Sequence, residues 1–105
     1  MYKEENMQGI DLSENNNQAI YLDDFWETLK NSNWKDFIIL RLGYGVSPER
    51  DESFLYAYQK AYDIGIRDIS AYWFCYSMDA EDAKVEANNA INMINSLGVG
   101  VSGQI

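Results

Sequence analysis

The chain has no histidine, one cysteine, one proline, and only 8 basic residues against 17 acidic ones. Each scarcity excludes something. A single cysteine cannot form an internal disulfide. Cys75 has no histidine anywhere in the chain to act as its base and lies in an aromatic run, which predicts a buried structural thiol rather than a nucleophile. The same two scarcities remove the usual zinc ligand sets, and neither a metal nor another cofactor is expected. A net charge of -9 argues against binding a nucleic-acid backbone, which needs Lys and Arg to neutralise phosphates. It equally disfavours an anionic membrane surface. No stretch approaches the roughly 20 apolar residues of a membrane span. Met1 to Met7 is polar and acidic, without the apolar core of a secretory signal. A neutral or mixed-charge polymer remains an acceptable partner.

What is present is the composition of a globular chain, 47% hydrophobic and 14% aromatic over 105 residues. This length supports one domain. The expected division is a polar segment over 1–8 and a domain over 9–105. Within it, apolar runs and helical periodicities alternate. Gly9 to Leu12 forms a short apolar segment, and Leu22, Phe25, Trp26 and Leu29 then recur at helical spacing. Asp23 and Asp24 stand in the favourable first turn of that helix. Phe37-Ile38-Ile39-Leu40 is continuous and apolar, as a strand covered on both faces would be. Gly43, Gly45 and Pro48 mark a loop. Phe54, Ala57, Tyr58 and Ala61 give a second helix closed by Gly65. Ile66 to Tyr76 reads as a third strand. Asp79 should cap a third helix with the stripe Ala83, Ala87, Ala90, Ile91 and Ile94, ended by Gly98. Val99 to Ile105 reads as the approach to a fourth strand.

Strand starts near residues 9, 37 and 67 repeat at the length of a βα unit. The fold class is therefore α/β, with parallel βαβαβα units. A closed barrel takes eight strands, and pattern alone leaves a partial barrel and a small open sheet equally available.

Residue identities go further. Gly9-Ile10-Asp11-Leu12-Ser13 resembles the opening Gly-Ile-Asp-Val-Ser strand of glycoside hydrolase family 25 lysozymes, the N-acetylmuramidases that cut peptidoglycan. Arg41-Leu42-Gly43-Tyr44-Gly45 is similar to the Arg-x-Gly-Tyr-Gly that ends the family's second strand. Asp51, Phe54, Tyr58 and Ala61 match the spacing of its second helix, and Ala71-Tyr72-Trp73-Phe74-Cys75-Tyr76 its third strand. The match is colinear from Gly9 to about Gly98. It departs at Asn15, where the family often has histidine, and at the polar Arg67-Asp68-Ile69-Ser70. The resemblance implies the first three to four strands of a TIM-like (β/α) barrel and a cell-wall target.

Glycoside cleavage needs an acid for the leaving oxygen and a second group for the oxocarbenium-like centre. By resemblance that acid belongs to an Asp-x-Glu ending the fourth strand, and no Asp or Glu follows Glu86. A barrel truncated before that pair is expected to be inactive alone. Asp11 matches the family's strand-one carboxylate, at the strand end where barrels keep catalytic groups. A structural alternative for it is bonding to the amides of Ser13 or Glu14. Tyr72, Tyr76 and Tyr44 are candidate sugar-stacking residues, and Trp73 a weaker one, set against packing in the core. Arg41, ending an apolar strand, would be costly to bury unpaired; an ion pair with Asp11 or Asp51 is the favoured reading for it, set against a substrate-binding role in contact with the sugar. Asp51 is either a helix cap or part of the site.

Two other classes compete. One is a non-catalytic module that binds cell-wall glycan or assembles. The other, a phosphate-accepting switch domain, fails because Asp11 has no adjacent acid and no late-strand lysine exists. Gly43-x-Gly45 lacks the rest of a phosphate loop. Open sheet edges would favour a homo-oligomer, two half-barrels being one form.

Overall fold

The computed structural model describes residues 7–101, 103 and 104. Most of the polar segment expected over 1–8 lies outside the described residues, as do Ser102 and Ile105 of the fourth-strand approach. The elements in chain order are β1 (Gly9–Leu12), a 3-10 turn (Glu14–Asn16), α1 (Asn17–Ile20), α2 (Asp23–Lys30), β2 (Phe37–Tyr44), β3 (Glu49–Arg50), α3 (Phe54–Asp63), β4 (Ile69–Phe74), α4 (Ala80–Leu97) and β5 (Gly103–Gln104). The α/β class follows directly.

β1, β2, β4 and β5 form one parallel sheet in that spatial order. Strands taken in chain order with right-handed crossovers send every helix to the same face. Burial agrees. Ile38, Leu40, Ile69 and Ala71, alternate residues of β2 and β4, are buried in one cluster with Trp26 and Leu29 of α2, Phe54, Ala57 and Ala61 of α3, and Ile94 of α4. Each fully buried Leu or Ile there contributes about 1.5–3 kcal/mol. The intervening residues Ile39, Ser70 and Tyr72 are only half-buried, and Asp11 is exposed. The sheet is covered on one side.

The helix ends have local causes. Asp79 caps α4 by accepting from the Asp82 N–H at 2.9 Å, and Gly98 ends it at φ 68°. α3 starts differently. Its N-cap, Ser53, makes no side-chain cap bond. Instead Asp51 Oδ1 accepts from both the Ser53 N–H, at 2.9 Å, and the Ser53 hydroxyl, at 2.6 Å. Helix α2 begins without a side-chain cap but has Asp23 and Asp24 in its first turn.

Four sequence expectations are corrected. β2 runs on through Gly43 and Tyr44, because β3 folds back on it antiparallel, pairing Gly43 with Arg50 and Tyr44 with Glu49. A Cβ on Gly43 would lie 2.4 Å from the Glu49 carbonyl and 2.7 Å from the Trp73 ring, so only glycine admits this approach. The third strand is shorter than Ile66 to Tyr76, since Ile66 leaves α3 by bonding back to the Ala61 carbonyl at 3.0 Å. Cys75 is exposed, not buried, because β4 ends at Phe74 and releases it into a loop. Finally, the α4 stripe is covered only in part. Ile94 is buried, whereas Ala83, Ala87 and Ile91 are exposed, and the fully buried side chain on that helix is Glu86.

Candidate functional site

The C-terminal ends of β1, β2 and β4 bring the candidate residues to one rim. Register places Asp11 beside Ile39, and Ile39 beside Ser70, in one row across the uncovered face. Arg41 and Tyr72 pair in the next row toward the strand ends. Asp11 is exposed, and among the described residues no hydrogen bond reaches its carboxylate. The amides proposed for it are engaged elsewhere. Ser13 N–H donates to Asn16 Oδ1 at 3.1 Å, and Glu14 N–H to Asp51 Oδ2 at 2.8 Å.

Arg41 and Asp51 turn inward. Arg41 Nε donates to Asp51 Oδ2 at 2.9 Å, and its Nη2 lies 3.2 Å from Glu14 Oε1. Asp51 is fully buried, and both of its oxygens are occupied by Arg41, Ser53 and the Glu14 amide. Of the two partners expected for Arg41, the structure selects Asp51 and leaves Asp11 free. Glu14 is the third member, unforeseen in the sequence. Its Oε2 also accepts from the Glu52 N–H at 3.2 Å. The network ties the loop after β1 to the start of α3 through the end of β2. Burial of a charge is tolerated here because each is paired and hydrogen-bonded.

Around this anchor stands an aromatic group. The Arg41 guanidinium lies 4.7 Å from the Tyr44 ring centroid. Tyr44 meets Tyr76 edge to face at 6.2 Å, and Tyr76 meets Phe74 at 5.0 Å. Tyr76 is 57% exposed and Phe74 47%. These rings form a partly exposed aromatic surface at the ends of β2 and β4. Burial pushes the Tyr72 hydroxyl above its ordinary pKa, with the Asp11 and Asp51 charges adding and Arg41 opposing. The Tyr44 hydroxyl is also raised, first by burial and then by the Glu14 and Glu49 charges.

Trp73 points to the other face, where its indole N–H donates to Glu86 Oε1 at 3.1 Å. It does not join the rim. A concavity of about 300 Å³ lies on that side, between the end of β4 and α4, lined by Trp73, Cys75, Glu86 and the exposed alanines of α4. Among the described residues no three His, Cys, Asp or Glu side chains converge to hold a metal ion, and no helix is long and apolar enough to cross a membrane.

Sequence reasoning missed Glu14, Glu86 and Asn89, whose side-chain amide donates to the Val46 carbonyl at 2.8 Å. Glu86 had a legible signal, standing three residues after Ala83 and four before Ala90, on the apolar stripe itself. Glu14 had none, since its role depends on how the loop after β1 folds over Arg41. Comparison with protein-family models, curated proteins and solved structures finds no match to this chain.

Proposed function

We propose that this chain forms the first strand–helix units of a peptidoglycan lysozyme barrel of the family 25 kind, and that its rim binds cell-wall glycan. The observation that carries the reading is the one-sided sheet. Four parallel strands follow one another in chain order, all helices cover one face, and the other face carries Asp11 and Tyr72 near the strand ends. That is how a barrel wall is built, with the helix-free side turned inward and chemistry kept at the C-terminal rim. A doubly wound sheet would cover both faces.

The roles follow from the geometry. Tyr72, Tyr76, Tyr44 and Phe74 stack on sugar rings, while Asp11 accepts from sugar hydroxyls or faces the developing positive charge. Arg41, Asp51 and Glu14 hold the loops in place. Glycoside cleavage takes two carboxyl groups across the scissile bond. At this rim Glu14 and Asp51 are committed to Arg41, and Asp11 is the one carboxylate that β1, β2 and β4 themselves carry. The described residues therefore bind glycan without cutting it.

The test is direct. Purified muropeptides should bind the chain, and both Asp11→Ala and Tyr72→Ala should weaken that binding by about tenfold or more, the scale of one lost hydrogen bond or stacked ring. Clearing of a peptidoglycan suspension by these 105 residues alone would contradict the absence of cleavage. No muropeptide binding at all would sink the reading.

A further inference from the structure

Helix α4 buries a carboxylate where its own alanines stay exposed. Glu86 is fully buried, while Ala83 and Ala87 on the same face are open to solvent. A helix that buried side chains only for hydrophobicity would show the opposite pattern. What Glu86 gains is two donors. The Trp73 indole N–H reaches Oε1 at 3.1 Å, and the Tyr76 backbone N–H reaches Oε2 at 3.0 Å. β4 has ended by Tyr76, so this amide lies beyond the ladder, and the carboxylate takes it instead.

Three residues on, Asn89 does the same for the neighbouring strand. Its side-chain amide donates to the carbonyls of Gly45, at 3.3 Å, and Val46, at 2.8 Å, in the turn after β2. The two strand ends are also joined to each other, through the Gly45 N–H and the Phe74 carbonyl at 3.2 Å. One helix face thus grips both segments that carry the rim tyrosines, Tyr44 just before Gly45 and Tyr76 itself.

We propose that Glu86 and Asn89 are positioning residues, a two-point clamp on α4 that sets the Tyr44–Tyr76 pair in its edge-to-face geometry. This deepens the glycan-rim reading and rests on it for its consequence, though not for its geometry. The clamp works at a distance from the ligand. Glu86 touches no sugar, and its effect passes through the Tyr76 backbone. The chemistry also explains the residue type. A carboxylate presents an acceptor on each oxygen, whereas the isosteric amide of glutamine would set a donor against one of the two N–H groups.

Glu86→Gln in the full chain is the test, read by amide hydrogen exchange at Tyr76, by ring-to-ring contacts between Tyr44 and Tyr76 in solution, and by muropeptide affinity. With the fold retained by circular dichroism, Tyr76 exchange should quicken by about tenfold or more. The ring contacts should weaken, and affinity should fall by about three- to tenfold. Unchanged exchange and unchanged ring contacts in the folded variant overturn the proposal. Should Glu86→Gln fail to fold, Asn89→Ala reads the second arm, and retained Tyr44–Tyr76 contacts there overturn it equally. Altered ring contacts in a protein whose parent binds no muropeptide would support the clamp while removing the glycan reading, so the two fail separately.

Discussion

The two faces of the sheet are built from different residues and meet different surroundings. On the helix side, Ile38, Leu40, Ile69 and Ala71 are all at most 2% exposed. On the other side β1, β2 and β4 present Asp11, Ile39, Ser70 and Tyr72, which are exposed or half-buried, and Arg41, which is buried against Asp51 and Glu14. Parallel sheets are ordinarily covered on both faces. Here topology explains the asymmetry, since strands laid down in chain order deliver every crossover helix to one side. The covered face is apolar, aliphatic apart from Trp73, and serves packing. The open face mixes acid, hydroxyl and aromatic groups.

Arg41 stands where the two faces meet, and breaking it gives the largest expected effect. Arg41→Met leaves Asp51 buried without its cation and should cost about 3–5 kcal/mol in urea unfolding. A cost below about 1 kcal/mol would show the network to be incidental. The faces themselves are compared next. Leu40→Ala removes a fully buried side chain and should cost about 2–5 kcal/mol. Ile39→Ala, one residue away on the open face, should cost less than about 1 kcal/mol. If Ile39→Ala approached the Leu40 value, a second copy or another segment would be covering that face, and sedimentation would tell which.

The smallest effect sharpens the rim. Tyr44 and Tyr72 have raised pKa values, burial being the first cause for both. A raised folded value favours the protonated form. Their stability contribution is therefore complete below the ordinary tyrosine value of 10.0 and is lost as pH rises through the folded values. Spectrophotometric titration should show Tyr44 and Tyr72 ionising above the ordinary tyrosine value. Asp11→Asn should bring Tyr72 down and leave Tyr44 in place, because only Tyr72 feels the Asp11 charge.

Much of the scaffold was legible because its signals are local. Apolar periodicity located β1, α2, β2, α3, β4 and α4, and Asp79 and Gly98 marked the ends of α4 as capping chemistry predicts. The site was legible more weakly. Asp11, Tyr44, Tyr72 and Tyr76 gather at the strand ends, and Arg41 finds the carboxylate partner its position called for in Asp51, whereas the third partner, Glu14, had no local signal. Cys75 shows how alternation misleads at a strand end: one residue past the last ladder pair, the inside-outside rule no longer applies.

The sequence by itself determined the alternation of strands and helices, the apolar set that packs them, and the exclusion of a disulfide or histidine chemistry within these 105 residues. These depend on residue type and short-range spacing. Only the tertiary structure decided which carboxylates are free. Asp51 and Glu14 are drawn to Arg41 from 10 and 27 positions away, and Glu86 is drawn under the end of β4. A charge inside a protein takes whatever partner the fold brings within about 3 Å, and that partner is set by chain topology, not by the neighbouring residues.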